Sequence, residues 1–255
     1  MAHLFIFGLG YSATRIRAAT QAMGWGVTAT GRDADLEFAD SVGVRSALAA
    51  ATHVLSSIPP NEAGDPVLER YGDALPDAWL GYLSSTGVYG DTGGAWVDES
   101  APIGGGRRSE RTDADAAWLA RGARVFRLPG IYGPGRSALE RVRDGRARRI
   151  DLPGQVFSRV HVDDIASGVV AGFAGPPGAY NVADDLPANQ NDVIEAACRL
   201  LGLSPPPLQT LAQADLSPAA RAFYAESRRV ANGKVKRELN WRPLYPTFRE
   251  GLLAC

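Results

Sequence analysis

Leu4 to Phe7 (LFIF) is an apolar run with no polar break, which predicts a strand buried on both faces. Gly8-Leu9-Gly10-Tyr11-Ser12-Ala13 follows at once, and Thr14 to Met23 then has helical character. The same succession recurs along the chain. Gly26 to Thr30 (GVTAT) reads as the second strand and Leu36 to Phe38 as a short third. Ala47 to Ala51 is helix-like, and His53 to Ile58 (HVLSSI) is a fourth strand stopped by Pro59-Pro60. Asp65 to Leu75 has weak helical periodicity, Ala78 to Ser84 (AWLGYLS) is the fifth strand, and Thr112 to Arg121 is a short polar helix. Arg124 to Leu128 (RVFRL) is the sixth strand. Ser137 to Asp144, Asp163 to Phe173 and Asn191 to Leu201 read as helices, the last amphipathic and closed by Gly202. Strands alternating with helices predict an α/β chain with a doubly wound parallel sheet. Pro205-Pro206-Pro207 is a rigid spacer, and Arg228 to Ala231 and Lys234 to Leu239 close a smaller C-terminal lobe. That lobe, drawn from about 133–160 and 187–253, is interleaved with the core, so residues 1–255 read as one domain.

The first turn carries a chemical signal. G-x-G-x-x-A between a strand and a helix gives each small residue a job. Gly8 permits the tight turn, Gly10 lets a pyrophosphate approach the backbone, and Ala13 lets the helix pack on the strand. The helix start then offers free N–H groups and its positive end to phosphates. The sheet is therefore expected to be Rossmann-like, with Gly8, Leu9, Gly10, Tyr11 and Ser12 against a dinucleotide. The second strand ends in Gly31-Arg32-Asp33. Arg32 there either suits the 2′-phosphate of NADP or is a solvated turn residue; an acid would take the ribose hydroxyls of NAD. The expected cofactor is NADP, and Asp33 keeps NAD open. Ser56, Ser57 and Pro59, at the end of the fourth strand, are further cofactor contacts, whereas His53 begins that strand and reads as structural.

Charge and composition narrow the class. With 27 basic and 28 acidic residues the formal net charge is −1, which argues against a general nucleic-acid or membrane-surface binder. Cys198 and Cys255 are the only cysteines, and the three histidines (His3, His53, His161) are scattered, so neither a disulfide framework nor a metal site is expected. No apolar run approaches membrane-spanning length, and the N-terminus reads as a strand rather than a leader. A soluble, cytoplasmic protein with a small-molecule substrate is the expectation.

Hydroxyls gather where the fifth strand ends, in Ser84-Ser85-Thr86-Gly87-Val88-Tyr89-Gly90-Asp91. With the glycine turn, this segment resembles the extended short-chain dehydrogenase/reductase family, the NAD-dependent epimerase/dehydratases. Further segments resemble the family in order: Arg127-Leu128-Pro129-Gly130-Ile131-Tyr132-Gly133-Pro134-Gly135, Arg159-Val160-His161-Val162-Asp163-Asp164-Ile165-Ala166, Tyr180-Asn181-Val182-Ala183-Asp184, and Asn240-Trp241-Arg242-Pro243 with Arg249-Glu250-Gly251-Leu252. The resemblance implies that Ser85 and Thr86 polarise a reacting oxygen and that Pro129, Gly130 and Ile131 touch the nicotinamide end. Family members also use a Tyr and a Lys four apart on the helix after the fifth strand. Here Arg107 stands at the Tyr place and Arg111 at the Lys place. Arginine stays protonated to very high pH, so Arg107 cannot be the proton-shuttling phenol; Arg111 can still bind a ribose hydroxyl. The glycine spacing departs too, and both departures resemble the atypical short-chain members, which keep the fold without the standard mechanism.

Tyr89 is then the nearest phenol for proton transfer, and Tyr132 is a second, also a substrate contact. Arg141, Arg143, Arg146, Arg148 and Arg149 form either a solvated basic face or, with Arg159, a holder for a phosphate-bearing substrate such as a nucleotide sugar. His161 reads as structural, with general-acid work as the alternative, and Asp163 or Asp164 as helix caps. The chain is read as an NAD(P)-binding epimerase, dehydratase or reductase-like protein. The alternative is a non-catalytic NAD(P)-binding sensor or regulatory protein, which the missing Tyr and Lys favour. Monomer and homodimer both remain open.

Overall fold

The unbroken run Leu4–Phe7 has its explanation in the computed structural model, which describes residues 1–106 and 109–255. Strand and helix alternate from the start: β1 His3–Phe7, α1 Tyr11–Ala22, β2 Gly26–Thr30, α2 Ser41–Ala50, β3 His53–Ser56, α3 Pro66–Tyr71 and β4 Trp79–Ser85. A 3-10 turn, Thr86–Tyr89, ends β4, and a short β5 Trp96–Val97 follows. Next come α4 Ser109–Ala120, β6 Arg124–Leu128, β7 Gly130–Tyr132, α5 Ala138–Arg143, β8 Arg149–Ile150, β9 Arg159–His161, α6 Val162–Gly172 and β10 Gly178–Asn181. The chain closes with α7 Gln190–Leu201, β11 Leu208–Gln209, α8 Pro218–Phe223, β12 Arg229–Val230, α9 Gly233–Glu238 and α10 Phe248–Leu253.

A six-stranded sheet has the order β10-β6-β4-β3-β1-β2, and every pairing in it is parallel. Side chains alternate across it. Leu4 and Ile6 pack with Ile16 of α1 and Val169 of α6 on one face. Phe5 and Phe7 pack with Val44 and Leu48 of α2, Tyr71 of α3 and Trp118 of α4 on the other. Burial on both faces is why neither half of the β1 alternation is polar. The chain steps from β1 to β2 on one side, while β3 pairs with β1 on the other. The sheet therefore reverses direction at β1/β3, where a doubly wound fold leaves a crevice beyond the carboxyl ends.

The expected third strand, Leu36 to Phe38, shrinks to a single parallel bridge, Thr30↔Leu36. The carbonyl of Phe38 accepts the Tyr71 hydroxyl at 2.5 Å, and its ring stands edge-on to Tyr71, so the segment turns into the core instead of extending. Helix α2 begins at Ser41, ahead of Ala47, because the Asp40 carboxylate caps it by accepting from Gly43 N.

Beside the sheet, β7 pairs with β9, β8 with β11 and β5 with β12. Tyr132, Leu139, Ala197 and Phe248 form a further apolar cluster joining β7, α5, α7 and α10. Among the described residues, no helix is long and apolar enough to cross a membrane, and no group of His, Cys, Asp and Glu could hold a metal ion.

Candidate functional site

The carboxyl ends of β1, β3, β4 and β6 open into a cleft of about 790 Å³. It brings together Gly10, Tyr11, Ser12, Ser57, Pro59, Ser85, Thr86, Arg111, Pro129, Gly130 and Ile131, all singled out in the sequence. Gly8 and Leu9 form the turn beneath, and Ser56 is fully buried with its hydroxyl unpartnered. Arg32 stands exposed beyond the end of β2.

The two glycines of the turn differ physically. Gly8 has φ +86°, and a Cβ there would lie 2.7 Å from Ile58 Cγ1. The turn is held by the Ser57 hydroxyl donating to Gly8 O at 2.6 Å and by Gly8 N donating to Thr30 Oγ1 at 3.1 Å. Gly8 is therefore required by the backbone itself. Gly10 has φ −96°, which any residue adopts, and a Cβ on it would meet nothing within 4 Å. No side chain caps α1 at Gly10, so the first-turn N–H groups beside this open ground have no side-chain cap. A diphosphate fits that arrangement.

The end of β4 and the 3-10 turn after it deliver three hydroxyls with different duties. Ser85 Oγ accepts from Gly87 N at 3.1 Å, which starts the 3-10 turn and leaves its own O–H to donate into the cleft. Thr86 beside it is 5% exposed. Ser84 also lines the cleft, but its hydroxyl is taken up by donating to Asp115 Oδ2 at 2.6 Å. Asp115 is fully buried and holds Arg127 in a two-pronged pair, at 2.8 and 3.0 Å. Arg127 also donates to the Tyr89 hydroxyl at 2.9 Å, and Tyr89 donates to Asn181 Oδ1 at 2.8 Å. The structure thus does not bring Tyr89 to the cleft: both functions of its hydroxyl are engaged, and burial pushes its pKa up. Arg111, one turn before Asp115 on α4, does line the cleft. Arg107 lies outside the described residues.

Tyr11 crosses from α1 to the loop after β7. Its hydroxyl donates to Pro134 O at 3.1 Å, and Arg136 lies over its ring at 5.7 Å. Beyond Gly130, Ile131 and Arg136 the cleft continues into a second chamber of about 360 Å³. Tyr132, Arg141, Arg146, Phe157, Arg159, Gln190 and Phe223 line it. The basic cluster is thereby divided. Arg141, Arg146 and Arg159 line the chamber, joined there by Arg136 from outside the cluster, whereas Arg149 pairs with Glu195 at 2.6 Å outside it. Arg159 is 6% exposed; its Nη1 donates to the carbonyls of Phe157 and Ala188, and its Nη2 donates to Gln190 Oε1 at 3.0 Å. Burial lowers its pKa to about 10, against the pull of Asp184. Asp184 is pushed up to about 8 by burial, opposed by Arg159. The Tyr132 hydroxyl is buried without a partner and its pKa is raised by that burial.

The acidic pair Asp163-Asp164 does not cap α6 with its side chains. His161 Nδ1 accepts from Asp163 N at 3.2 Å and takes that role, while Asp164 accepts from the backbone of Leu244 and Tyr245. Gln190, Phe157, Phe223 and Arg136 were not anticipated. They sit on separate elements, and no motif marks them.

No family model matches the chain. It is 32% identical over 143 residues to a 3-diazoavenalumate denitrifying reductase of a Streptomyces species, a match covering 50% of this chain and 45% of that protein. The chain therefore spans less than half the length of that curated relative. A functionally unknown conserved protein from Silicibacter pomeroyi is 42% identical, with TM-score 0.88 over 100% of this chain and 98% of the other. dTDP-glucose 4,6-dehydratase from Bacillus anthracis, solved with NAD, superposes with TM-score 0.78 at 16% identity, over 99% and 94% of the two chains. The human epimerase family protein SDR39U1, solved with NADPH, does so with TM-score 0.72 at 17% identity, over 98% and 97%.

Proposed function

The chain belongs to one family with the Silicibacter pomeroyi protein, on the extended short-chain dehydrogenase/reductase fold of the NAD-dependent epimerases and dehydratases, and on that premise we propose that it is an NADP(H)-dependent reductase or epimerase. The observation that carries the reading is the open ground over Gly10, beside an uncapped helix start, at the point where the sheet reverses. Leu9 to Ser12 would hold the diphosphate. Ser57, Pro59, Arg111 and Pro129 to Ile131 would line the rest of the dinucleotide, and Arg32 would take a 2′-phosphate. When bound, the nicotinamide supplies or receives the hydride.

The remaining chemistry falls to the chain's own groups. The Ser85 O–H is left to donate to a substrate oxygen, with Thr86 beside it. Arg111 keeps a fixed positive charge at the same wall. The substrate is a small alcohol or carbonyl compound with an anionic group, a class that includes phosphate esters and nucleotide sugars. It would lie in the arginine-lined chamber, beneath the lobe drawn from about 133–160 and 187–253. The reductase similarity supports the hydride-transfer side of this reading.

One observation favours a second reading, a non-catalytic NADP(H)-binding sensor. Tyr89 is held in the Arg127–Asn181 network, and arginine stands at the Lys place. Turnover separates the two. NADPH oxidation is followed with a panel of aldehydes, ketones and sugar nucleotides, in wild type and Ser85→Ala. The enzyme reading expects measurable turnover that falls roughly 100-fold in the variant, the usual loss for one positioned donor. Tight NADPH binding with no turnover on any substrate would leave the sensor.

A further inference from the structure

We infer that the chamber beyond Gly130 takes the carboxylate of a flat aromatic or conjugated acid. This narrows the substrate class and rests on the proposed reductase reading of the adjoining cleft. Gln190 carries most of the argument. It is 8% exposed, and its Oε1 accepts from Arg159 Nη2 at 3.0 Å. That bond fixes which way the amide faces and leaves Nε2 as the free donor. Nε2 is buried with no partner, although the residue lines the chamber. A buried donor without a partner is costly, and a ligand oxygen would satisfy it.

Arg159 sits beside it with the same surplus. Its guanidinium has five N–H groups, and three are engaged by Phe157 O, Ala188 O and Gln190. A charged donor next to a neutral one suits the two oxygens of a carboxylate. Arg136 and Arg141 add positive charge to the same walls. The one carboxylate among the described lining residues, Glu140, is already bonded to Ser137 in the cap of α5.

The lining is also aromatic, and the Arg159 guanidinium lies over the Phe157 ring at 6.0 Å. Phe157 and Phe223 stack with centroids 4.3 Å apart and planes 14° from parallel. Phe223 is 42% exposed and lines both chamber and cleft, so one face of its ring is open to a ligand between them. Such a surface rewards a flat π-system. At about 360 Å³ the chamber is near the lower end of ligand pockets, which run from about 300 to 1,000 Å³. A one-ring acid fits that size better than a nucleoside diphosphate sugar.

Calorimetric titration of the full chain with cinnamate, methyl cinnamate and UDP-glucose, each with and without NADPH, tests this. Wild type is expected to bind cinnamate at least about tenfold more tightly than its methyl ester, as a charge-assisted contact requires. Gln190→Glu keeps the acceptor for Arg159 but replaces the free donor with a second acceptor. It should weaken cinnamate about tenfold or more and leave NADPH affinity unchanged. Phe223→Ala, at a half-open position that does not threaten folding, should weaken cinnamate by about three- to tenfold. Cinnamate binding that ignores both substitutions, or its absence from wild type, overturns the inference. So does UDP-glucose binding more tightly than cinnamate and failing in Gln190→Glu, which leaves the proposed enzyme class intact. Loss of NADPH binding alone overturns the cofactor reading, since cinnamate is also titrated into the free protein.

Discussion

Arg32 and Asp35, in the turn after β2, are the two charged side chains on which the proposed preference for NADP(H) turns. Asp35 is the acid whose carboxylate bonds back to β2. Its Oδ2 accepts from Ala29 N at 2.8 Å, and its Oδ1 accepts from Arg17 at 3.0 Å, so both oxygens are engaged. Arg32 is exposed and, among the described residues, has no carboxylate partner. A guanidinium free at this corner can bond a 2′-phosphate, each charged contact being worth about 1.5–3 kcal/mol. Arg32→Ala should therefore weaken NADP(H) by at least about tenfold and barely move NAD(H). Fluorescence titration of both cofactors into both proteins measures it. Equal affinities in wild type would show that Arg32 faces solvent, and the preference would revert to NAD or to neither.

At the scale of elements, the buried chain Ser84–Asp115–Arg127–Tyr89–Asn181 joins β4, α4, β6, the 3-10 turn and β10. It ties Ser84, next to the cleft hydroxyl of Ser85, to those other elements of the core. The side chains of Arg127 and Asp115 are 3% and 0% exposed, so the pair has little solvent screening. Removing one charge leaves the other buried and unpaired, which costs about 3–5 kcal/mol. Asp115→Asn should lower the melting temperature by roughly 10 °C, at about 2–4 °C per kcal/mol for a chain of this size. Differential scanning calorimetry reads this directly. A drop no larger than that of Ser84→Ala would mean the pair is not what joins these elements. The same network shows what the sequence does and does not make legible. The apolar run of β1, the short segment RVFRL of β6 and the turn Gly8–Ala13 are local patterns, and each lies where the pattern puts it. Tyr89 also has a local signature, four residues after Ser85, but its partners Arg127 and Asn181 are 38 and 92 positions away. No local spacing tells a phenol in a cleft from one in a core. The arginines after Ser137 were legible as a cluster, but which of them turn to the chamber depends on how α5 packs against α7. Gln190 had no signal beyond its place at a helix start.

At the scale of the whole molecule, the cleft is bounded by segments far apart in the chain: the start of α1, the end of β4, α4 and the loops around β7. Tyr11 already links the first and last of these through Pro134 O at 3.1 Å. A dinucleotide held across them binds the folded chain and not the unfolded one, so it stabilises by mass action, by about 2.7 kcal/mol at a hundred times its Kd. Saturating NADPH should then raise the melting temperature by roughly 5–10 °C. Gly10→Val isolates the cause of that rise. The backbone at Gly10 is ordinary and a Cβ there meets no protein atom within 4 Å, so the free protein should lose at most about 1 kcal/mol from a poorer helix start. The valine methyls would instead occupy the ground over the turn, where the diphosphate must approach. The expected result is a variant that melts within roughly 4 °C of wild type without cofactor and no longer responds to NADPH. A variant that still gains the full wild-type increment would show that the dinucleotide does not cross Gly10, and the assignment of the cleft would fall with it.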